Sequence, residues 1–406
     1  MKILFISVTS PPELGPESLQ VGKYIRELSK NNQITLLTSK PSEYGWMKNN
    51  SSLNIYLKRI EKIITINDFQ HSRISSKAIT LLFPKKFQFP DRHFIFSFLS
   101  SMARYKIRKS FDLIYSRSMP FSSALMALKL KETLDIPWIM HLSDPWFGNP
   151  MITDNHYRHQ ELEYLCVEKA DRISLTTENL ISLFTDRYPR FRDKFLHFPN
   201  VYEERDLSST PIDVKNCGKL NISYTGNLYG RRTLRALYNA LLLIDSASAS
   251  CIKLNVVGNL DLNNQQLVER IGNLINVKYY GRLSQRACRY KQKKSHVLLT
   301  IDIWSDDLYS NTCLPSKVQD YLSAQRRILA ITTPGSPTDS VITSEYGDCV
   351  EFSDSVRLKD HLVEYVERFQ NQDWEYFSYE YLDTKFMSKN VINRLNKEFI
   401  SLVNMT

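Results

Sequence analysis

Apolar runs and amphipathic stretches alternate along most of the chain. The first apolar run, Ile3–Val8, is followed by a loop holding Pro11, Pro12, Gly15 and Pro16, then a helical pattern from Glu17 to Lys30 and a second run at Gln33–Thr38. Further runs lie at Asp112–Tyr115, Trp138–His141 and Arg172–Thr176, separated by helical patterns at Phe121–Leu134, Asn155–Ala170 and Glu178–Arg187. Residues 41–110 fit this alternation poorly. The second half has runs at Leu220–Tyr224, Ile252–Val257, Val277–Tyr280, His296–Ile303, Ile328–Ile331 and Cys349–Phe352, with helical patterns from Thr233 and at Val356–Phe369. Strand–helix alternation predicts parallel sheets covered on both faces. A polar segment without periodicity, Tyr202–Gly218, marks a boundary. The expected organisation is an α/β protein of two doubly wound, Rossmann-like domains, 1–205 and 218–373, followed by a helical tail over 374–406.

Length and charge sharpen this picture. A chain of 406 residues is long enough for two cores. The net charge of +10 is uneven: residues 1–200 carry 28 Lys/Arg against 19 Asp/Glu, and residues 201–406 carry 25 against 24. The N-terminal half is therefore expected to meet something anionic, such as a lipid pyrophosphate at a membrane surface or an acidic glycan. No basic run with interleaved aromatics forms a recognisable nucleic-acid module, so nucleic acid is not expected. Arg92–Lys109 mixes aromatic and basic residues and could lie on an anionic membrane, but a core-facing helix with a basic end explains it more simply. The apolar start of the chain is too short to span a membrane and is followed by no cleavage pattern. Six cysteines (Cys166, Cys217, Cys251, Cys288, Cys313, Cys349) stand without a Cys-x-x-Cys pair, which suggests reduced thiols and a cytosolic protein.

Candidate chemistry concentrates at four loops. Residues 315–335 read as a polar loop, a short helix and an apolar strand; on the helix Lys317 and Asp320 are three apart and share a face. A cation, a carboxylate and a helix N-terminus suit a nucleotide sugar, with phosphate at the amides and Lys317 and a ribose diol at Asp320. Gly226-Asn227-Leu228-Tyr229-Gly230-Arg231-Arg232 follows a strand and opens a helix; its glycines let backbone approach a phosphate and either arginine can grip it. Gly15-Pro16-Glu17 begins the first helix, which alone would explain its residues. His141-Leu142-Ser143-Asp144-Pro145-Trp146 follows a strand; Asp144 suits an acceptor contact or assistance in removing a proton, and otherwise caps a turn before Pro145. Asp302–Asp307 reads as a solvated acidic loop, and no His/Cys cluster has metal-ligand spacing.

The stretch Pro-Ser-Lys-Val-Gln-Asp-Tyr-Leu, Pro315–Leu322, resembles the Pro-Ser-Lys-x-x-Glu-Tyr-Leu signature of retaining, family-4-type glycosyltransferases with the GT-B fold. The resemblance implies a nucleotide-diphosphate sugar donor on the C-terminal domain and a glycan or lipid-linked acceptor on the N-terminal one, in capsule or O-antigen synthesis. It implies that Gly226, Ser316, Lys317 and Arg231 or Arg232 hold the diphosphate and Asp320 the ribose. It also puts Gly15 and Glu17 on a cleft loop and Asp144 and His141 at the acceptor. No cofactor or metal is implied, and the C-terminal helix is expected to cross back to the first domain. The chain departs from the family in three places. One glycine stands where the first loop is glycine-rich, Asp320 replaces a glutamate, and Thr312 stands where a second glutamate is expected eight positions earlier. A nucleotide-sugar epimerase of the same architecture, or a non-catalytic scaffold, are the alternative readings.

Overall fold

The computed structural model describes residues 1–39, 50–66, 107, 111–149, 156–203, 218–303, 311–342, 345–373 and 383–405. The expectation for Arg92–Lys109 and most of 41–110 therefore falls outside the described residues, as does part of the tail. The chain divides into two compact units, Met1–Glu203 with Thr384–Thr406, and Glu204–Asp383.

Unit 1 is built on a parallel sheet of seven strands: β1 (Lys2–Ile6), β2 (Gln33–Ser39), β3 (Lys62–Ile66), β4 (Leu113–Ser118), β5 (Trp138–Leu142), β6 (Arg172–Leu175) and β7 (Phe195–His197). Their order is β3-β2-β1-β4-β5-β6-β7. The winding reverses between β1 and β4, which opens the loops there at the C-terminal edge of the sheet. β1, β4 and β5 are buried almost throughout, which explains their near-continuous apolar runs. The helices are α1 (Pro16–Leu28), α2 (Ser122–Leu134), α3 (His156–Lys169) and α4 (Glu178–Arg187). Pro16 opens α1, where its missing N–H is harmless, and Glu17 adds a carboxylate at the positive end of the dipole. The strands β3 and β7 were not evident from periodicity; both are short edge strands with weak apolar signal.

Unit 2 has six parallel strands: β8 (Leu220–Thr225), β9 (Ile252–Val257), β10 (Asn276–Tyr279), β11 (Val297–Ile301), β12 (Arg327–Ile331) and β13 (Gly347–Val350), in the order β10-β9-β8-β11-β12-β13. Its longer helices are α5 (Arg235–Leu241), α6 (Leu262–Gly272), α7 (Gln285–Lys293), α8 (Ser316–Ala324) and α9 (Ser355–Gln370). The winding reverses again, between β8 and β11, so the turn after β8 and the helix α8 stand at the same edge. No helix among the described residues is long and apolar enough to cross a membrane. The five described cysteines are free.

The last helix, α10 (Ser388–Met405), belongs to unit 1. Val391, Ile392, Leu395, Phe399 and Leu402 repeat at helical spacing and join a core with Ile3, Phe5, Tyr24 and Tyr115. The rings of Tyr115 and Phe399 lie 5.3 Å apart. Tyr202 N–H donates to the Phe386 carbonyl (3.1 Å) and Ser388 N–H to that of Tyr202 (2.9 Å), tying the outgoing and returning segments together. Phe399→Ala should therefore destabilise unit 1 by about 3–5 kcal/mol, the cost of emptying a buried aromatic site. Denaturant unfolding checks this, and a loss below about 1 kcal/mol would show that the helix contributes little to that core.

Candidate functional site

In unit 2 the site is assembled from strand ends. After β8 the chain turns at Gly226, whose φ of 143° is a conformation other residues rarely adopt. Gly226 N–H donates to the Val257 carbonyl (2.8 Å), and Gly258 follows with φ of 128°. A Cβ on Gly258 would lie 2.0 Å from the Gly226 carbonyl oxygen, so the two turns can touch only because Gly258 has no side chain. Facing them is the first turn of α8. Lys317 Nζ donates to the Tyr224 hydroxyl (2.6 Å) and stands 4.0 Å from that ring's centroid. The Tyr224 hydroxyl donates onward to the Asn227 carbonyl (3.0 Å). A Cβ on Gly226 would meet Lys317 Nζ at 3.4 Å, so ammonium and glycine turn are in contact distance. The N-cap of α8 is Pro315, and no side chain caps the helix.

The electrostatics set this turn apart. Burial, and behind it the charge of Arg232, pulls the Lys317 ammonium well below the usual lysine range; Asp302 acts in the opposite sense. Arg232 is half-buried, with its guanidinium carbon 5.8 Å from the Tyr229 ring centroid and a buried Nε that meets no acceptor among the described residues. Asp302, at the end of β11, is buried and accepts a hydrogen bond from Thr332 Oγ1 (2.5 Å). Burial pushes its carboxyl above the usual range, opposed by that bond and by Arg232 and Lys317. Lys317 and Arg232 thus share a region in which, among the described residues, the carboxylate that offsets Lys317 is Asp302, itself penalised for being charged. A polyphosphate would add negative charge beside both cations.

The predicted residues of this unit divide. Gly226, Lys317 and Arg232 come together, with Ser316 beside them as the first residue of α8. Arg232 is the arginine whose charge reaches Lys317, Tyr224 and Asp302, whereas Arg231 is exposed. Asp320 lies one turn further along α8, half-buried, and its charge is felt at Cys288 of α7 and at Tyr321. Thr312 is buried, its hydroxyl 3.8 Å from Cys313 Sγ. One expectation is corrected: Asp302 is no part of a solvated loop, because the end of β11 draws it inside, onto Thr332. Among the described residues no group of three His, Cys, Asp or Glu could hold a metal ion.

Unit 1 has a polar cluster at the C-terminal edge of its own sheet. Glu17 Oε1 accepts from Arg117 Nε (2.7 Å), and Glu17 Oε2 accepts from Ser143 Oγ (2.9 Å). Arg117, at the end of β4, has no exposed surface; it donates to Asn200 Oδ1 (2.6 Å) and lies over the Tyr24 ring at 4.4 Å. Burial raises the Glu17 pKa against the pull of Arg117 and Ser143, and the charge of Asp144 adds to the rise. Glu17 and Asp144, distant in sequence, are thus electrostatic neighbours. Gly15 caps α1 in an extended conformation that any residue could adopt, so its backbone does not demand glycine. His141 lies in the interior: it is fully buried, bonded to Ser174 Oγ through Nδ1 (2.8 Å), with the Tyr24 and Tyr115 rings 5.8 and 6.1 Å away. Burial, then Arg117, holds its pKa well below the usual histidine range, so it is a neutral packing group here. Beyond Asp144, the backbone N–H groups of Trp146 and Phe147 both donate to Glu163 (3.2 and 2.8 Å), which fixes the course of the loop.

Sequence reasoning did not single out Arg117, Asn200, Ser143 or Tyr224. Only Arg117 leaves a signal, as a charged residue within a strand that otherwise reads as fully buried. No protein-family model and no curated protein sequence matches the chain. Solved structures do. The structure of HepE from Anabaena in complex with UDP and glucose is 13% identical, matches 99% of both chains and has a TM-score of 0.68. Sucrose-phosphate synthase from Thermosynechococcus elongatus is 12% identical over the whole of both chains, with a TM-score of 0.68. WaaG, a glycosyltransferase of lipopolysaccharide biosynthesis, is 12% identical over 99% of this chain and 98% of its own, with a TM-score of 0.60. The fold is therefore that of the GT-B glycosyltransferases, with two Rossmann-like domains.

The depressed pKa of Lys317 has a thermodynamic consequence. Its value in the folded state lies below that in the unfolded chain, about 10.4, so the folded state resists a proton that the unfolded state carries. The cost to stability is full below the folded pKa and disappears as pH rises towards about 10.4. Lys317→Met should melt at a higher temperature than the parent at neutral pH, and the gap should narrow at alkaline pH. A variant that melts lower at pH 7 would contradict the buried-cation account.

Proposed function

We propose that the protein transfers a sugar from a nucleotide-diphosphate sugar to a glycan or lipid-linked saccharide. The observation that carries this reading is the meeting of Lys317, Arg232 and the Gly226 turn at the uncapped start of α8. Here the diphosphate sits between Lys317 and Arg232, with Ser316 at the helix start and Asp320 on the ribose. As the bond from the anomeric carbon to the phosphate oxygen breaks, negative charge gathers on the leaving diphosphate. Two cations already in place stabilise that charge without reorganising. The acceptor is assigned to unit 1, at Glu17 and Asp144, with Arg117 holding Glu17 and with His141 supporting the strand end from inside. Thr312 gives the donor sugar a hydroxyl in place of a carboxylate.

Retention of the anomeric configuration belongs to this proposal through the resemblance of Pro315–Leu322. On a retaining front-face path the leaving phosphate oxygen accepts the proton of the attacking hydroxyl, so no protein nucleophile is needed. The ligands of structural neighbours support a choice of substrate class. HepE was crystallised with UDP and glucose, TarM with UDP and a glycerol-linked GlcNAc, and WaaG and the galactosyltransferase WaaB act in lipopolysaccharide assembly. We therefore assign a uridine diphosphate donor and a role in bacterial surface polysaccharide; a cytoplasmic location and no need for a metal belong to this proposal through the resemblance of Pro315–Leu322.

A thermal-shift screen with UDP, GDP, ADP and CMP tests the donor site. A ligand at about 100 times its Kd adds roughly 2.7 kcal/mol to stability. UDP should stabilise the parent, and Lys317→Ala and Arg232→Ala should each lose most of that gain. If no nucleotide stabilises the parent, the transferase reading falls; stabilisation that survives both substitutions would move the phosphate elsewhere.

A further inference from the structure

Of the two adjacent arginines after Gly226, Arg232 is drawn inward while Arg231 is exposed. The buried Arg232 Nε meets no acceptor among the described residues, so that nitrogen does not anchor the side chain. The backbone around it is anchored instead. From Asn227 to Leu234 the loop is laced to the segment that leaves β9 and opens α6. Leu228 N–H donates to the Asn259 carbonyl (2.9 Å), and Asn259 N–H donates to Asn227 Oδ1 (3.0 Å). Gly230 N–H donates to Asp261 Oδ2 (2.9 Å). Asn264, which has no exposed surface, then holds the chain on both sides of Thr233. Its Nδ2 donates to the Arg232 carbonyl (3.3 Å), and its Oδ1 accepts from Leu234 N–H (3.1 Å). Asp261 fixes which way that amide points. Its Oδ1 caps α6 by accepting from Asn264 N–H (2.9 Å) and also accepts from Asn264 Nδ2 (2.8 Å). A flipped amide would set oxygen against oxygen at both Asp261 and Arg232.

We propose that Asn264 and Asp261 are positioning residues for Arg232, an inference that rests on the donor-site reading above. Residues 230, 232 and 234 of the loop are each held by one of these two side chains, which fixes its register. A slip of one residue would put Arg231 where Arg232 stands. A guanidinium that must be ordered when the ligand arrives costs affinity, because its loop and its long side chain lose freedom at that moment. A loop already bonded to the next helix has met that cost on folding. The other end of the same loop bears on the second cation. The Asn227 carbonyl accepts from the Tyr224 hydroxyl (3.0 Å), which in turn accepts from Lys317 Nζ (2.6 Å). The loop thus has fixed points beside both Lys317 and Arg232, and the α6 end of the arrangement is supplied by residues that carry no charge to the ligand themselves or, as Asp261, direct it at backbone amides.

Calorimetric titration with UDP tests this as a double-mutant cycle. Asn264→Ala removes both bonds to the loop. Asp261→Ser keeps a hydroxyl to cap α6 but leaves Gly230 N–H without its acceptor. In the parent, Asn264→Ala should weaken UDP binding about tenfold and Asp261→Ser about fivefold. In an Arg232→Ala background neither should change the affinity by more than about twofold, because the group they position is gone. Equal losses in the two backgrounds overturn the proposal. So does an unchanged affinity in a folded Asn264→Ala variant, which would leave both residues a purely structural part. If Asn264→Ala does not fold, Asp261→Ser decides by the same two comparisons. Failure of the donor-site reading has its own signature: the parent binds no UDP, or Arg232→Ala binds it undiminished, and the proposal falls with that reading.

Discussion

An ammonium group held against a tyrosine at a glycine turn organises unit 2. Lys317 lies against both Tyr224 and the turn after β8, and the turn's φ of 143° at Gly226 is a conformation other residues rarely adopt. The turn in turn leans on Gly258, where a side chain would strike the Gly226 carbonyl. Burial and the nearby Arg232 work against the charge on Lys317, so a proton held there is held at a cost. A costly charge kept in a polar turn is most readily understood as half of an interaction whose other half is a ligand.

Both units place their polar groups at the same kind of position, the C-terminal edge of a parallel sheet beside the point where its winding reverses. Gly226, Gly258, Asp302 and Thr332 follow β8, β9, β11 and β12 in turn. In unit 1, Glu17, Arg117 and Ser143 belong to the segments associated with β1, β4 and β5. At such an edge helices begin and strands end, so backbone N–H groups are in excess and anions are favoured. The two clusters differ in chemistry. That of unit 2 sets Lys317 and Arg232 near a buried Asp302, whereas that of unit 1 is an ion pair between Glu17 and Arg117, closed by Ser143 and Asn200. Under the proposed function, the first would take a phosphate-bearing ligand and the second hydroxyl groups.

Unit 1 is also completed by the end of the chain. α10 supplies five buried side chains to the core under β1 and β4. On the same side, α1 grips the outgoing segment: Tyr24 donates to the Pro199 carbonyl (2.7 Å), Lys23 to that of Val201 (2.9 Å), and Arg26 pairs with Glu203 (3.0 Å). The helix that presents Glu17 at its start is therefore held along its length by the segment through which the chain leaves and by the helix with which it returns.

The sequence by itself determined the class of fold, because buried parallel strands must be apolar throughout and their covering helices must be amphipathic. It also determined that Lys317 and Asp320 share a face of one helix and that Gly226 begins a turn, since these follow from local spacing. The short edge strands β3 and β7 left too weak a signal to be read; the helices α6 and α7 have segregated faces, but α7 is so polar that it holds almost no apolar stripe to find. Tertiary structure alone decided which arginine stands at Lys317, that Asp302 turns inward onto Thr332, and that His141 is buried beneath the strand end. It alone brought Glu17 to Arg117 across 100 residues. The reason is physical: burial, pKa and charge density depend on neighbours in space, and in a parallel sheet those neighbours are supplied by crossovers that local sequence does not record.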